Sequence, residues 1–139
     1  MAMPEKPKML IIEDDVELAT TIELAFQDPG IQIIKCCDGA EAIEVFEARR
    51  PQIVILDLML PKRGGFYVLN RWKGHSIHKG KLPIVIIITG IEGKRHQDFA
   101  QSLGADEYLR KPFALSCLVE LVSKYLNELP YLTWVDKYK

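Results

Sequence analysis

The chain has 139 residues, 48% hydrophobic and 27% charged, with a formal net charge of -1, which suits one domain of the usual roughly 100–150 residues with one sizeable core. That balance excludes a disordered or polyanion-coating protein and names no charged partner. No apolar run approaches the roughly 20 residues of a membrane-spanning helix, and Met1 to Lys8 lacks the apolar stretch of a signal peptide, so a cytoplasmic protein away from membranes is expected.

Met9 to Ile12 reads as a first strand and delivers Glu13-Asp14-Asp15 at its end. Val16, Ala19, Ile22 and Phe26 then recur at helical steps, with Asp28-Pro29-Gly30 as a stop. Ile31 to Cys36 forms a second strand, and Asp38-Gly39 opens a helix whose stripe is Ala42, Ile43, Val45 and Phe46, closed by Arg49-Arg50-Pro51. Gln52 to Leu56 is the third strand, followed at once by Asp57. A third helix is predicted from Gly65 to Trp72, and Lys73 to Lys81 reads as a Gly- and Lys-rich loop. The HxxH pair His75 and His78 falls in that loop without a carboxylate or thiol to complete a metal site, so both read as solvated loop histidines. Pro83 to Ile88 is the fourth strand, with Thr89 beyond it. Lys94 to Leu103 forms a weakly apolar helix between Gly93 and Gly104, expected to be the most mobile. Glu107 to Leu109 is the fifth strand, leading into Arg110-Lys111, and Leu115, Leu118, Val119, Val122 and Leu126 mark one face of a fifth helix. Residues 1–128 thus form the domain. Residues 129–139, with Pro130, Tyr131, Trp134 and Tyr138, read as a tail or the start of a linker. Cys36, Cys37 and Cys117 are odd in number and lack CxxC spacing, which points to reduced packing residues.

Five strand–helix repeats predict an α/β fold, a doubly wound (βα)5 parallel sheet with right-handed crossovers. Continuous Ile/Val/Leu runs fit strands buried on both faces. The groups following four of the strands, Glu13-Asp14-Asp15, Asp57, Thr89 and Arg110-Lys111, then share one edge, where ligands of open α/β sheets bind. Singly each has a plainer explanation: a helix cap, a loop carboxylate, a β-branched strand end, a surface lysine. Their coincidence at one edge argues for a site. Clustered carboxylates repel one another unless a cation lies among them, and an all-oxygen site suits Mg²⁺. An ammonium and a hydroxyl beside a carboxylate nucleophile suit a phosphoryl group, so an aspartyl phosphate is suggested.

The segments LIIEDD (Leu10 to Asp15), VILDLMLP (Val54 to Pro61), IIITG (Ile86 to Gly90) and YLRKP (Tyr108 to Pro112) resemble those of response-regulator receiver domains, over about Lys8 to Leu126. The resemblance implies a flavodoxin-like sheet of order 2-1-3-4-5. It implies Asp57 as phosphoacceptor, Asp14 as a Mg²⁺ ligand, Glu13 as a ligand through water, and the Met59 backbone carbonyl as a further one. Lys111 would pair with phosphoryl oxygens, and the bond to Pro112 would be cis. Thr89 and Tyr108 would form a switch that remodels the face made by the fourth helix, fifth strand and fifth helix. Apolar Met59 and Ile91, each two residues past a functional position, imply a slowly hydrolysing phosphoform. The implied partners are a histidine kinase or histidine phosphotransfer protein, and a second copy through the switched face. The protein would be a signalling phosphoacceptor rather than an enzyme.

The chain departs from the family pattern in three places, one of them the slightly extended segment Lys73 to Lys81. Lys62-Arg63-Gly64-Gly65 lacks the usual acid or amide before the glycine, though Gly65 still permits positive φ, and Gly90 replaces the more usual Ala or Ser, which should loosen the loop after Thr89. A phosphatase with an aspartate nucleophile would need DxD where this chain has Asp57-Leu58-Met59, and a flavin carrier would need a Ser/Thr- and Gly-rich loop where it has three acids. Nothing after the fifth helix resembles a DNA-binding motif. The remaining alternatives are a phosphorelay or docking module without its own output, or the receiver piece of a larger regulator or hybrid kinase.

Overall fold

The computed structural model describes residues 6–27, 30–79 and 83–127, with the backbone alone for 73–79. Its elements are β1 (Lys8–Ile12), α1 (Val16–Ala25), β2 (Gln32–Cys36), α2 (Gly39–Arg49), β3 (Ile53–Asp57), α3 (Gly65–Lys79), β4 (Ile84–Thr89), α4 (Lys94–Ser102), β5 (Glu107–Arg110) and α5 (Leu115–Leu126). All four strand pairings are parallel, in the order β2-β1-β3-β4-β5. The expected α/β architecture and strand order are therefore present.

Strand side chains alternate between faces, and both faces are apolar. Leu10, Ile12, Val54, Leu56, Val85 and Ile87 join Phe46 and Trp72 in one core cluster. Met9, Ile11, Ile53, Ile55, Ile84, Ile86 and Ile88 join Ile22, Leu118 and Val122 in the other. Every residue of β3 and β4 is buried. On the first face, the Phe46 and Trp72 rings stack at 4.2 Å and 15°, tying α2 to α3.

The helix starts follow their sequence signals. The Asp15 carboxylate accepts from the Leu18 amide at 3.2 Å, and Asp38 accepts from the Glu41 amide at 2.8 Å. Arg50 closes α2 in the left-handed region.

Several boundaries differ from expectation. The β2 ladder begins at Gln32, whose amide donates to the Pro7 carbonyl, rather than at Ile31. β4 begins after Pro83, which has no amide to donate. Asp57, Thr89 and Arg110 are the last residues of their strands rather than loop residues, paired to Ile88, Arg110 and Thr89 respectively. Leu103 caps α4 instead of belonging to it. The largest correction concerns α3, which runs to Lys79 instead of ending at Trp72, so His75 and His78 lie on helix and not in a loop. The expected stripe ends at Trp72, but helical hydrogen bonding does not depend on that stripe and continues to Lys79. The expected stop at 28–29 and the tail at 129–139 lie outside the described residues.

Candidate functional site

The strands' C-terminal edge collects the residues singled out in the sequence. Glu13 follows β1, Asp57 ends β3, Thr89 ends β4, and Lys111 follows β5. Glu13 and Asp57 are buried at 2% and 4% exposure, Thr89 is fully buried, and Asp14 is exposed. One carboxylate oxygen from each of Glu13, Asp14 and Asp57 lies within 4.8 Å of the others.

β3 and β4 end in the same local device. The Asp57 Oδ1 accepts from the Met59 amide at 3.0 Å, and the Thr89 Oγ1 accepts from the Ile91 amide at 3.3 Å. In each case the last strand side chain takes the amide two residues on, turning the backbone away from the ladder. The groups are thereby fixed at the sheet edge by their own loops.

Lys111 holds the acids together. Its Nζ lies 2.6 Å from Glu13 Oε1 and 2.9 Å from Asp57 Oδ2. The Lys111–Pro112 peptide bond is cis. Burial pushes the Glu13 carboxyl up to about 8, reinforced by its hydrogen bond with Asp57, while Lys111 opposes the shift. Burial also works against ionised Asp57, but hydrogen bonds from Glu13, the Met59 amide and Lys111 outweigh it and hold that carboxyl below its usual value. Burial lowers the Lys111 ammonium, yet its pairing with Glu13 and Asp57 raises it overall. The pair is thus asymmetric: its surroundings draw the Asp57 carboxyl down and push the Glu13 carboxyl up.

The donor set suits a hard cation. Three carboxylates converge, and the buried Glu13 Oε2 has no hydrogen-bond partner, a costly condition for an oxygen removed from water. For Met59, the contact seen here is its amide to Asp57; its side chain is 63% exposed.

Tyr108 is half-buried, and its hydroxyl donates to the Ile91 carbonyl at 3.1 Å. From the sequence, Ile91 counts only as a side chain near the phosphoryl group. Its backbone is in fact the link between Thr89 and Tyr108, and no residue-type signal reveals a backbone link. Asp15 stays outside the cluster as the α1 cap.

The β3–α3 loop corrects another expectation. Gly65 does not use positive φ; Lys62 and Arg63 do, at 47° and 76°. Gly65 is required for close approach instead, since a Cβ there would lie 2.5 Å from Leu58 Cα and 2.7 Å from the Asp57 carbonyl oxygen. The loop also docks on α2, with the Gly39 amide donating to the Pro61 carbonyl and no room for a Cβ at Gly39 against the Arg63 carbonyl. This contact joins distant segments and left no mark in the local sequence.

An open parallel sheet with an acid pocket, a lysine and a hydroxyl at its carboxyl edge defines the class to which this chain belongs. Residues 9–123 match the response regulator receiver domain family, and the chain is a member of it. It is 33% identical over 110 residues to the probable transcriptional regulator ycf27 of Porphyridium aerugineum, covering 79% of this chain and 44% of that protein. It is 35% identical over 108 residues to the transcriptional regulatory protein CiaR of Streptococcus pneumoniae, covering 78% of this chain and 46% of that one. The chain therefore spans less than half the length of these relatives. Among solved structures, the signal receiver domain of a putative Luxo repressor protein from Vibrio parahaemolyticus superposes with a TM-score of 0.80 at 29% identity, covering 88% of this chain and 92% of that one. The Francisella response regulator 1452 receiver domain gives 0.79 at 26%, covering 88% and 98%. No helix among the described residues is long and apolar enough to cross a membrane.

Proposed function

We propose that this receiver domain accepts a phosphoryl group on Asp57 from the phosphohistidine of a histidine kinase or histidine phosphotransfer protein, in a Mg²⁺-dependent reaction. The observation that carries the reading is Lys111 Nζ lying between Glu13 and Asp57, 2.6 and 2.9 Å away, with Asp14 completing the acid cluster. An Asp57 oxygen attacks phosphorus, the new P–O bond forms as the P–N bond to imidazole breaks, and the imidazole leaves as a neutral ring after taking up a proton. Lys111, already at Asp57, would turn to the equatorial oxygens of the incoming group. Glu13, Asp14, Asp57 and the Met59 carbonyl would hold the metal, whose chemistry when bound is to offset the charge of carboxylate and phosphoryl oxygens.

The Thr89 hydroxyl accepts from Ile91 and retains its own proton to donate to a phosphoryl oxygen. If Thr89 turns toward Asp57, it releases the Ile91 amide. Because Tyr108 is bonded to the same residue, the change passes to α4, β5 and α5, the face on which a partner or second copy would dock. Met59 and Ile91 place apolar side chains by this edge and favour slow loss of the phosphoryl group. The domain acts as a phosphoacceptor in signalling rather than as a turnover enzyme. The relatives' greater length favours the reading that such a domain serves a larger regulator over that of a stand-alone docking module.

Beryllofluoride, a phosphoryl mimic, tests this by amide NMR. With Mg²⁺ it should shift Thr89, Ile91 and Tyr108 in the wild type and leave Asp57→Asn unchanged. Identical spectra with and without the mimic would refute the reading.

A further inference from the structure

We propose that the edge formed by the start of α3 and by α4 from Lys94 to Phe99 is a docking surface for an acidic amphipathic helix of a partner protein, sharing only α4 with the α4-β5-α5 face. This inference does not rest on phosphorylation of Asp57.

Charge is segregated along the chain. Between Leu58 and Gly90 there is no Asp or Glu, but there are Lys62, Arg63, Arg71, Lys73, Lys79 and Lys81, although the whole chain has a net charge of -1. α4 then opens with Lys94 and Arg95, without an acidic residue in its first turn or a side-chain cap on Gly93. Cations at a helix N-terminus oppose its dipole, so these two do not serve helix stability. Both are exposed, and neither forms an ion pair among the described residues. The nearby Glu92 is already paired with Arg110.

The same edge exposes apolar surface. Phe99 and Tyr67 are 52% and 44% exposed. Phe99 lies 5.2 Å from the Phe66 ring, which itself stacks on His96 at 6.1 Å, so α3 and α4 share one aromatic wall. The Arg63 guanidinium lies 5.0 Å over the Tyr67 ring, a cation–aromatic pair at the start of α3. An apolar seam flanked by unpaired cations is complementary to a helix with apolar anchors and flanking carboxylates. A nucleic acid fits less well, because the Phe66–Phe99 wall asks for apolar anchors rather than continuous phosphate charge, while Asp98 on α4 opposes either anionic occupant.

The test uses the whole unphosphorylated chain and a synthetic peptide with Leu and Phe at i, i+3, i+4 and i+7 and Glu at the flanking positions. The probes for comparison are the same peptide with Lys for Glu, and an oligothymidylate. Binding of the Glu peptide should shift amides of residues 62–67 and 94–99, and should weaken about tenfold in Arg63→Glu/Arg95→Glu and in Phe99→Ser. Circular dichroism would verify that both variants are folded, and Arg49→Glu on α2 should bind as the wild type does. Equal binding of the Lys peptide, tighter binding of the oligothymidylate, shifts centred on α1 or α5, or no binding of the Glu peptide would each overturn the proposal.

Discussion

Thr89 and Tyr108 hold the same residue from opposite sides. The Ile91 amide donates to the Thr89 hydroxyl at 3.3 Å, and the Ile91 carbonyl accepts from the Tyr108 hydroxyl at 3.1 Å. Neither side chain needs to touch the other for one to sense the other's position.

That link predicts separable defects. Thr89→Val keeps the β-branched shape of a fully buried residue but loses the acceptor, and should cost about 1 kcal/mol of stability. It should still acquire a phosphoryl group on Asp57 while losing the accompanying change in the Tyr108 environment. Tyr108→Phe should likewise phosphorylate but fail to shift α4 amides. Urea melts and amide NMR check both.

Removing Lys111 separates the roles of ammonium and metal. Lys111→Met leaves two nearly buried carboxylates facing each other without a countercharge, which should cost about 3 kcal/mol in metal-free buffer. Mg²⁺ should restore more stability to the variant than it adds to the wild type, because a cation can take over the lost compensation. Urea titrations with and without Mg²⁺ measure the difference.

The glycines should divide sharply. Gly90→Ala meets no atom within 4 Å and should be neutral or stabilising by about 0.5 kcal/mol. Gly65→Ala and Gly39→Ala meet backbone and should lose about 3 kcal/mol or more. Lys62→Gly, at φ 47°, should gain roughly 1 kcal/mol. Thermal melts of the four variants test the assignment.

Cys36 is buried beside Glu41, Cys37 and Asp38, while Cys37 and Cys117 are exposed. Burial first, and those neighbours second, push the Cys36 thiol up to about 12 from 9.0. A thiol reagent should therefore label two cysteines in the native protein and the third only on unfolding. Because the folded value is raised, the favourable contribution of this thiol is intact below pH 9 and is lost as pH rises toward 12.

Much of this architecture is legible in the sequence. Runs such as Val54 to Leu56 and Ile84 to Ile88 announce strands buried on both faces, and Asp15 and Asp38 announce helix starts. Glu13, Asp57, Thr89 and Lys111 were found because a parallel sheet brings all strand ends to one edge. What stayed hidden depends on backbone or on distant contact. α3 extends past the apolar stripe that ends at Trp72, because backbone hydrogen bonding is open to any residue type. Ile91 serves through its amide and carbonyl, which every residue possesses. Gly65 is small for the sake of Leu58, and Gly39 for the sake of Arg63, neither a neighbour in sequence. The Lys111 bond to Glu13, as well as to Asp57, came from three-dimensional placement alone.

The central claim is that Asp57 accepts a phosphoryl group in a cation-dependent reaction. The most direct measurement is the intact mass of the chain after incubation with acetyl phosphate and Mg²⁺, beside Asp57→Asn and a sample containing a chelator. The account predicts one phosphoryl adduct on the wild type and none on the other two. An adduct that persists in Asp57→Asn, or a wild type that stays unmodified, would contradict it.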